Sequence, residues 1–135
     1  ELYEDGNGVN QDYEKAFHWY KKSADQGSYL GQNGLGSLYS KGNGVVQDYT
    51  KAFKWYQKSA DQGSYLAQYK LGYLYFGGDG VGQDYKKAFK WYEKSANQGY
   101  VIAQYELSNP FWNDIGVQNS KDAKMWRQKA ADQGY

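Results

Sequence analysis

Apolar residues recur along this chain at helical spacing, in blocks separated by glycine. Ala67, Leu71, Leu74 and Tyr75 stand at i, i+4, i+7 and i+8, which is one face of a 3.6-residue period. Gly78-x-Gly80-Val81 follows, and its glycines permit the positive φ with which helices commonly stop. A second stripe, Ala52, Phe53, Tyr56 and Ala60, comes after Asp48. That carboxylate is suited to accept from the free N–H groups of a first helical turn. Gly63 closes this helix, with Lys58 near the negative end of its dipole. The pattern predicts helices in pairs, A then B, and an all-α chain.

The pairs repeat. The phrase Asp12-Tyr13-x-Lys15-Ala16-Phe17-x-Trp19-Tyr20-x-Lys22-Ser23-Ala24-x-Gln26-Gly27 returns from Asp48 to Gly63 and from Asp84 to Gly99, each time 36 residues on. A degraded copy holds Ala123, Trp126, Lys129-Ala130-Ala131 and Gln133-Gly134, one residue short. Between these lies a second phrase: Leu35-Gly36-x-Leu38-Tyr39 with Gly42-x-Gly44-Val45 matches Leu71-Gly72-x-Leu74-Tyr75 with Gly78-x-Gly80-Val81. Leu2-Tyr3, Gly6, Gly8 and Val9 read as the tail of that phrase. The expected organisation is a partial repeat over 1–27, full repeats over 28–63 and 64–99, and a degenerate repeat over 100–135. Both ends read as cut from a longer array.

Helices of this length, about 12 residues, are marginal alone in water. Gly31, Gly34 and Gly36 in one helix A add roughly 3 kcal/mol against it relative to alanine. Burial of one large side chain returns only about 1.5–3 kcal/mol. Stacking on neighbouring helices must therefore order each unit, which is the physics of a solenoid with a continuous core. Gly36 and Gly72 are expected where helices A and B approach closely, with Ala16, Ala52, Ala88 and Ala123 opposite. Trp19, Trp55, Trp91 and Trp126 recur strictly and are expected in the core.

The recurring pattern A-x-x-x-L-G-x-L-Y-x-x-G-x-G-V-x-x-D-x-x-K-A-x-x-W-Y-x-K-A-A-x-x-G resembles the Sel-one-like repeat (SLR) family, a relative of the tetratricopeptide repeat. Ala67, Leu71-Gly72, Leu74-Tyr75, Gly80-Val81, Asp84, Lys87-Ala88, Trp91-Tyr92, Lys94, Ala96 and Gly99 carry it, and the 36-residue step separates it from the 34-residue tetratricopeptide unit. The resemblance implies a right-handed α/α superhelical solenoid with helix A lining the concave face. It implies adaptor or scaffold roles and no common catalytic activity.

The third full unit departs from the pattern, with Leu107-Ser108-Asn109-Pro110-Phe111-Trp112 in place of Leu71-Gly72-Tyr73-Leu74-Tyr75-Phe76. A proline there costs about 3 kcal/mol inside a helix, and Asn109 before it is pushed off helical angles. Helix A is expected to stop near Ser108, with Phe111 and Trp112 folding back as apolar plugs.

Composition narrows the functions. With 16 basic and 15 acidic residues, the chain has no nucleic-acid footprint. No apolar run approaches a membrane span, so no membrane insertion is expected. Zero cysteines exclude disulfides and thiolate metal sites, and the lone His18 excludes a multi-histidine site. Mean hydropathy is −0.99, yet 16 Tyr, 5 Trp and 5 Phe supply a buriable core. His18 takes an outward lysine column, and Asp12, Asp48 and Asp84 are helix caps rather than a carboxylate dyad. Lys15, Lys51 and Lys87 line helix B as a soluble outer face. Asp5-Gly6-Asn7-Gly8 and Gly78-Asp79-Gly80 lack the acidic ligands of a calcium loop and the Lys-Ser/Thr of a phosphate loop. No nucleophile–base pair is visible, so no enzyme and no cofactor is expected.

Positions identical in every unit serve the architecture; positions that vary on an exposed face are where recognition resides. On helix A the varying columns are Asn33/Tyr69/Tyr105, Gly34/Lys70/Glu106, Ser37/Tyr73/Asn109 and Ser40/Phe76/Trp112. The expected docking surface for a protein or peptide is Asn33, Tyr69, Tyr73, Phe76 and Tyr105, with Gln32, Gln68 and Gln104 beside them. The same rings also fit packing between units, and the recurring glutamines also fit a bond to the neighbouring loop. Two further readings stand beside the scaffold: a groove enzyme or small-ligand binder, and end-to-end self-association of the fragment. Cysteine-rich repeat relatives have been discussed as groove enzymes, and this chain has no cysteine. Absence of cysteine fits the cytoplasm; the sequence does not name a compartment.

Overall fold

The computed structural model describes the backbone from Gly6 to Tyr135 and side chains from Asp12 onward. Eight helices and no strand occur among these residues: α1 (Gly6–Asp25), α2 (Tyr29–Lys41), α3 (Tyr49–Asp61), α4 (Tyr65–Gly77), α5 (Tyr85–Asn97), α6 (Val101–Leu107), α7 (Phe111–Asp114) and α8 (Ser120–Asp132). Helices α2, α4 and α6 are the A helices; α1, α3, α5 and α8 are the B helices. Each packs on the helix before and the helix after, with α6 meeting α8 across the short α7. The chain is an α/α solenoid.

The helix ends follow from side-chain chemistry. Asp48 and Asp84 are extended N-caps whose carboxylates accept from Lys51 N and Lys87 N, at 3.0 Å each. Asn119 does the same for Asp122 N at 2.8 Å. Helices α2 and α4 end on left-handed Gly42 and Gly78, whose N–H groups reach back to Leu38 O and Leu74 O.

The core runs between adjacent helices. Ala52, Tyr56 and Ala60 of α3 pack with Ala67, Leu71 and Leu74 of α4. Ala88, Phe89, Tyr92 and Ala96 of α5 pack with Ala103, Leu107, Trp112 and Trp126. Glycine brings the layers together, Gly31 and Gly34 against α1 and Gly36 and Gly72 against the helix that follows. A Cβ on Gly72 would lie 2.7 Å from the Tyr92 ring, and one on Gly36 would lie 2.7 Å from the Tyr56 ring. In the A-to-B loops, Gly80 (φ +73) sits against the Tyr49 backbone, and a Cβ on Gly44 (φ +74) would meet Tyr13 Cβ at 2.7 Å. Each loop thus closes over the helix B of the preceding unit.

That dependence explains a first departure from the sequence reading. The Gly6-x-Gly8-Val9 phrase is not a loop and Asp12 is not a cap, because α1 runs unbroken through both. Among the described residues no helix B precedes it for such a loop to close over. The expected tail at Leu2-Tyr3 and the Asp5 end of the loop motif lie outside the described residues.

A second departure concerns the tryptophans. Trp126 is buried, but Trp55 and Trp91 are half-buried and Trp19 is 64% exposed. Trp91 rests on the α3–α4 core, which joins the preceding unit's helix B to its own unit's helix A. Trp19 has no such support among the described residues. Each indole also carries a lysine one turn on, with Lys22, Lys58, Lys94 and Lys129 at 5.5, 5.0, 4.8 and 5.2 Å from the ring centres. The strict recurrence thus marks a cation–π girdle along the B helices as much as a core.

The break in the third unit takes the expected form. α6 stops at Leu107, and Trp112 folds back to full burial. Carbonyls at the helix break find side-chain donors: Trp112 Nε1 to Glu106 O (3.1 Å), Gln118 Nε2 to Leu107 O (2.6 Å) and Arg127 Nη2 to Ser108 O (3.4 Å).

Candidate interaction surface

The three glutamines expected on the docking surface are interior. Gln32, Gln68 and Gln104 are 6%, 6% and 4% exposed. Their Oε1 atoms accept from Gln62, Gln98 and Gln133 Nε2 at 2.7, 2.8 and 2.8 Å. The same Nε2 groups reach Gly27 O, Gly63 O and Gly99 O of the preceding unit at 2.8, 2.8 and 3.0 Å. Within a unit, Ser59 and Ser95 tie helix B to the start of helix A through bonds to Tyr29 O and Tyr65 O. The structural reading of these glutamines replaces the docking one: a buried amide must be satisfied, and the Gln62, Gln98 and Gln133 amides that satisfy it also staple one unit to the one before.

The remaining helix-A positions divide by exposure. Tyr69 is half-buried, tilted against Tyr92 (5.3 Å) and edge-to-face with Tyr100 (5.5 Å). Burial, then the nearby Glu106 carboxylate, push its phenol up to about 12. Phe76 is half-buried against Tyr85, Phe111 and Trp112 at 5.1, 5.6 and 5.8 Å, so most of it seals the third-unit break. Asn33 is half-buried beside Tyr29, Leu30 and Tyr65, and its Oδ1 has no hydrogen-bond partner. Tyr73 and Tyr105 face solvent at 59% and 55% exposure, Tyr105 stacked on Tyr135 at 5.0 Å.

Tyr73 borders a recess of 270 Å³ between α2 and α4, lined also by Ser40, Lys41, Tyr49, Tyr56, Lys70 and Leu74. Burial, then Lys41, press the Lys70 ammonium below its usual range. Farther along, Glu106, Tyr105, Ser108, Asn109, Pro110 and Arg127 line a second hollow of 320 Å³ at the helix break. Burial raises the Glu106 carboxyl above its usual range. The helix-A face therefore passes from a pair of cations to an acid along the array. Sequence comparison of the units showed the Gly34/Lys70/Glu106 column but not its meeting with Lys41, which sits at the far end of another helix.

Among the described residues no group of three His, Cys, Asp or Glu side chains is placed to hold a metal ion. None of their helices is long and apolar enough to cross a membrane.

The Sel1 repeat family profile matches residues 1–28, 30–64, 66–100 and 101–135. Among solved structures the chain is similar to a Sel1 repeat protein from Oxalobacter formigenes, with 36% identity and a TM-score of 0.84, over 92% of this chain and 50% of that one. It is similar to c5321, a protective antigen present in uropathogenic Escherichia coli strains and displaying an SLR fold, with 33% identity and a TM-score of 0.81, over 93% of this chain and 30% of that one. It is also similar to Helicobacter pylori cysteine rich protein B, with 31% identity and a TM-score of 0.63, over 66% of this chain and 67% of that one. The chain thus spans half the length of the first relative and less of the second. A comparison with curated proteins gives no match. Repeat phrase, paired helices and these likenesses converge: the chain belongs to the Sel1 repeat family.

Proposed function

We propose that this chain is a docking scaffold that holds a partner protein or peptide on its helix-A face, through Tyr73 and Tyr105 with Asn33 and the exposed edges of Tyr69 and Phe76. Sel1 repeats generally act as protein–protein interaction scaffolds, and proteins built of them are typically non-enzymatic. The observation that carries the reading is the exposure of Tyr73. It varies between units, sits beside a recess, and has 59% of its surface in water. An exposed tyrosine offers a large contact area at low entropic cost, as interface anchors do. The surface is a set of open hollows rather than a closed cavity, which suits a polypeptide laid along it.

The test is selection of random 12-residue peptides displayed on phage against the immobilised chain. Selected peptides should bind Tyr73→Ala and Tyr105→Ala variants at least about tenfold more weakly, as loss of anchor residues costs. Binders indifferent to both substitutions would place docking elsewhere and refute the assignment.

A further inference from the structure

We propose that the recess between α2 and α4 receives an acidic segment of the partner polypeptide, with Lys41 and Lys70 meeting its Asp or Glu carboxylates. This rests on the docking reading above and specifies its chemistry.

The first ground is positive charge with no counter-charge. Lys41 and Lys70 line one hollow with Ser40, Tyr49, Tyr56 and Tyr73, and no carboxylate lines it. The only ion pair among the described residues is Lys21 with Asp25, far along the chain on α1, so neither lysine has a partner. Two ammonium groups that share a half-enclosed space repel each other, and a carboxylate between them relieves that repulsion.

The second ground is the orientation of Tyr49. Gln47 Nε2 donates to both Ser40 O (2.8 Å) and the Tyr49 hydroxyl oxygen (3.2 Å). With its oxygen already accepting, the Tyr49 hydroxyl is left to donate its hydrogen. The wall of the recess thus presents O–H and N–H groups, the pattern an anion requires.

The third ground is an internal comparison. The next unit repeats the frame: Gln83 Nε2 donates to Phe76 O and to the Tyr85 hydroxyl at 3.0 and 3.2 Å. Gly77 stands where Lys41 stood, Phe76 replaces Ser40 and Glu106 replaces Lys70. There the equivalent space is closed by Phe76 against Tyr85 and Phe111. The frame belongs to the fold, and the two charges belong to one unit only. With a net charge of +1 the chain has no general attraction for anions, so acid selectivity comes from this local pair.

The phage selection described above also tests this, read by composition and with a Lys41→Gln/Lys70→Gln variant. Selected peptides should be enriched in Asp and Glu over the unselected library. Their affinity should fall about tenfold or more on the double variant and on raising salt from 0.05 to 0.5 M, since a screened charge pair weakens. Lys41→Arg/Lys70→Arg should retain binding, and circular dichroism melting confirms that each variant is folded. Selected peptides without acidic enrichment, yet dependent on Tyr73, would overturn the acidic assignment and leave the docking reading standing. Acidic peptides that bind the glutamine variant undiminished would overturn it equally. Failure to select any peptide, or binders indifferent to both the lysines and Tyr73, would overturn both readings.

Discussion

Replacing Gln98 by alanine removes one staple between units. Its Nε2 group gives 2.8 Å bonds to Gln68 Oε1 in its own unit and to Gly63 O in the unit before. Gly63 is exposed, so water replaces the second bond at little cost. Gln68 is 6% exposed, and its oxygen is left in the interior with a donor lost. A stranded buried polar atom costs about 1–3 kcal/mol, and the surface bond adds a few tenths, so Gln98→Ala should cost about 2 kcal/mol. For 135 residues that corresponds to a melting temperature lower by roughly 8 °C. Thermal unfolding followed by circular dichroism at 222 nm gives the value. A cycle with Gln68→Ala then isolates the pair, and a coupling near 1 kcal/mol is expected because the two amides touch. A loss below about 0.5 kcal/mol, or strictly additive single substitutions, would show that the glutamine ladder contributes nothing to holding units together.

Gly72→Ala should destabilise by about 1–2 kcal/mol although alanine is the better helix former, because the new methyl meets the Tyr92 ring at 2.7 Å and Ala88 O at 3.1 Å; a rise in melting temperature would refute the close approach. Tyr73→Ala should shift melting by less than about 2 °C, since the ring is mostly in water, whereas several degrees of loss would mean it is packed. Glu106 has a raised folded-state pKa, so its contribution is fully present below the unfolded value and is lost as pH rises through the folded one. Glu106→Gln should therefore melt higher than the parent at pH 7 and lose that advantage by pH 4; equal curves at both pH values would contradict the burial. Trp112→Ala should cost about 3–5 kcal/mol, and hydrogen exchange should place the loosening at the third-unit end rather than at α2.

The architecture was legible because it is written several times over. Asp48 and Asp84, the Gly36 and Gly72 approaches, and the Pro110 interruption each follow from one residue's local chemistry, and each is found where that chemistry puts it. What could not be read was anything set by a neighbour. Trp19 and Trp126 occupy the same place in their phrases, yet one is solvent-facing and the other buried, because burial depends on the unit alongside. Gln32, Gln68 and Gln104 recur as faithfully as Gln62, Gln98 and Gln133. That shared recurrence was the signal that they pair, since positions held constant serve the frame. The recess escaped notice because Lys41 and Lys70 come from different columns, which only the packing of α2 against its neighbours unites.

The amide that reaches back to the carbonyl at the end of the previous unit has a consequence for how such a chain changes length. Gly27, Gly63 and Gly99 offer the same socket, and Gln62, Gln98 and Gln133 the same plug. Excision of residues 64–99 would bring Gln133 opposite Gly63, in the relation it now has with Gly99. Matched couplings of this kind let a gene gain or lose a whole module by recombination and still yield a product whose joints fit.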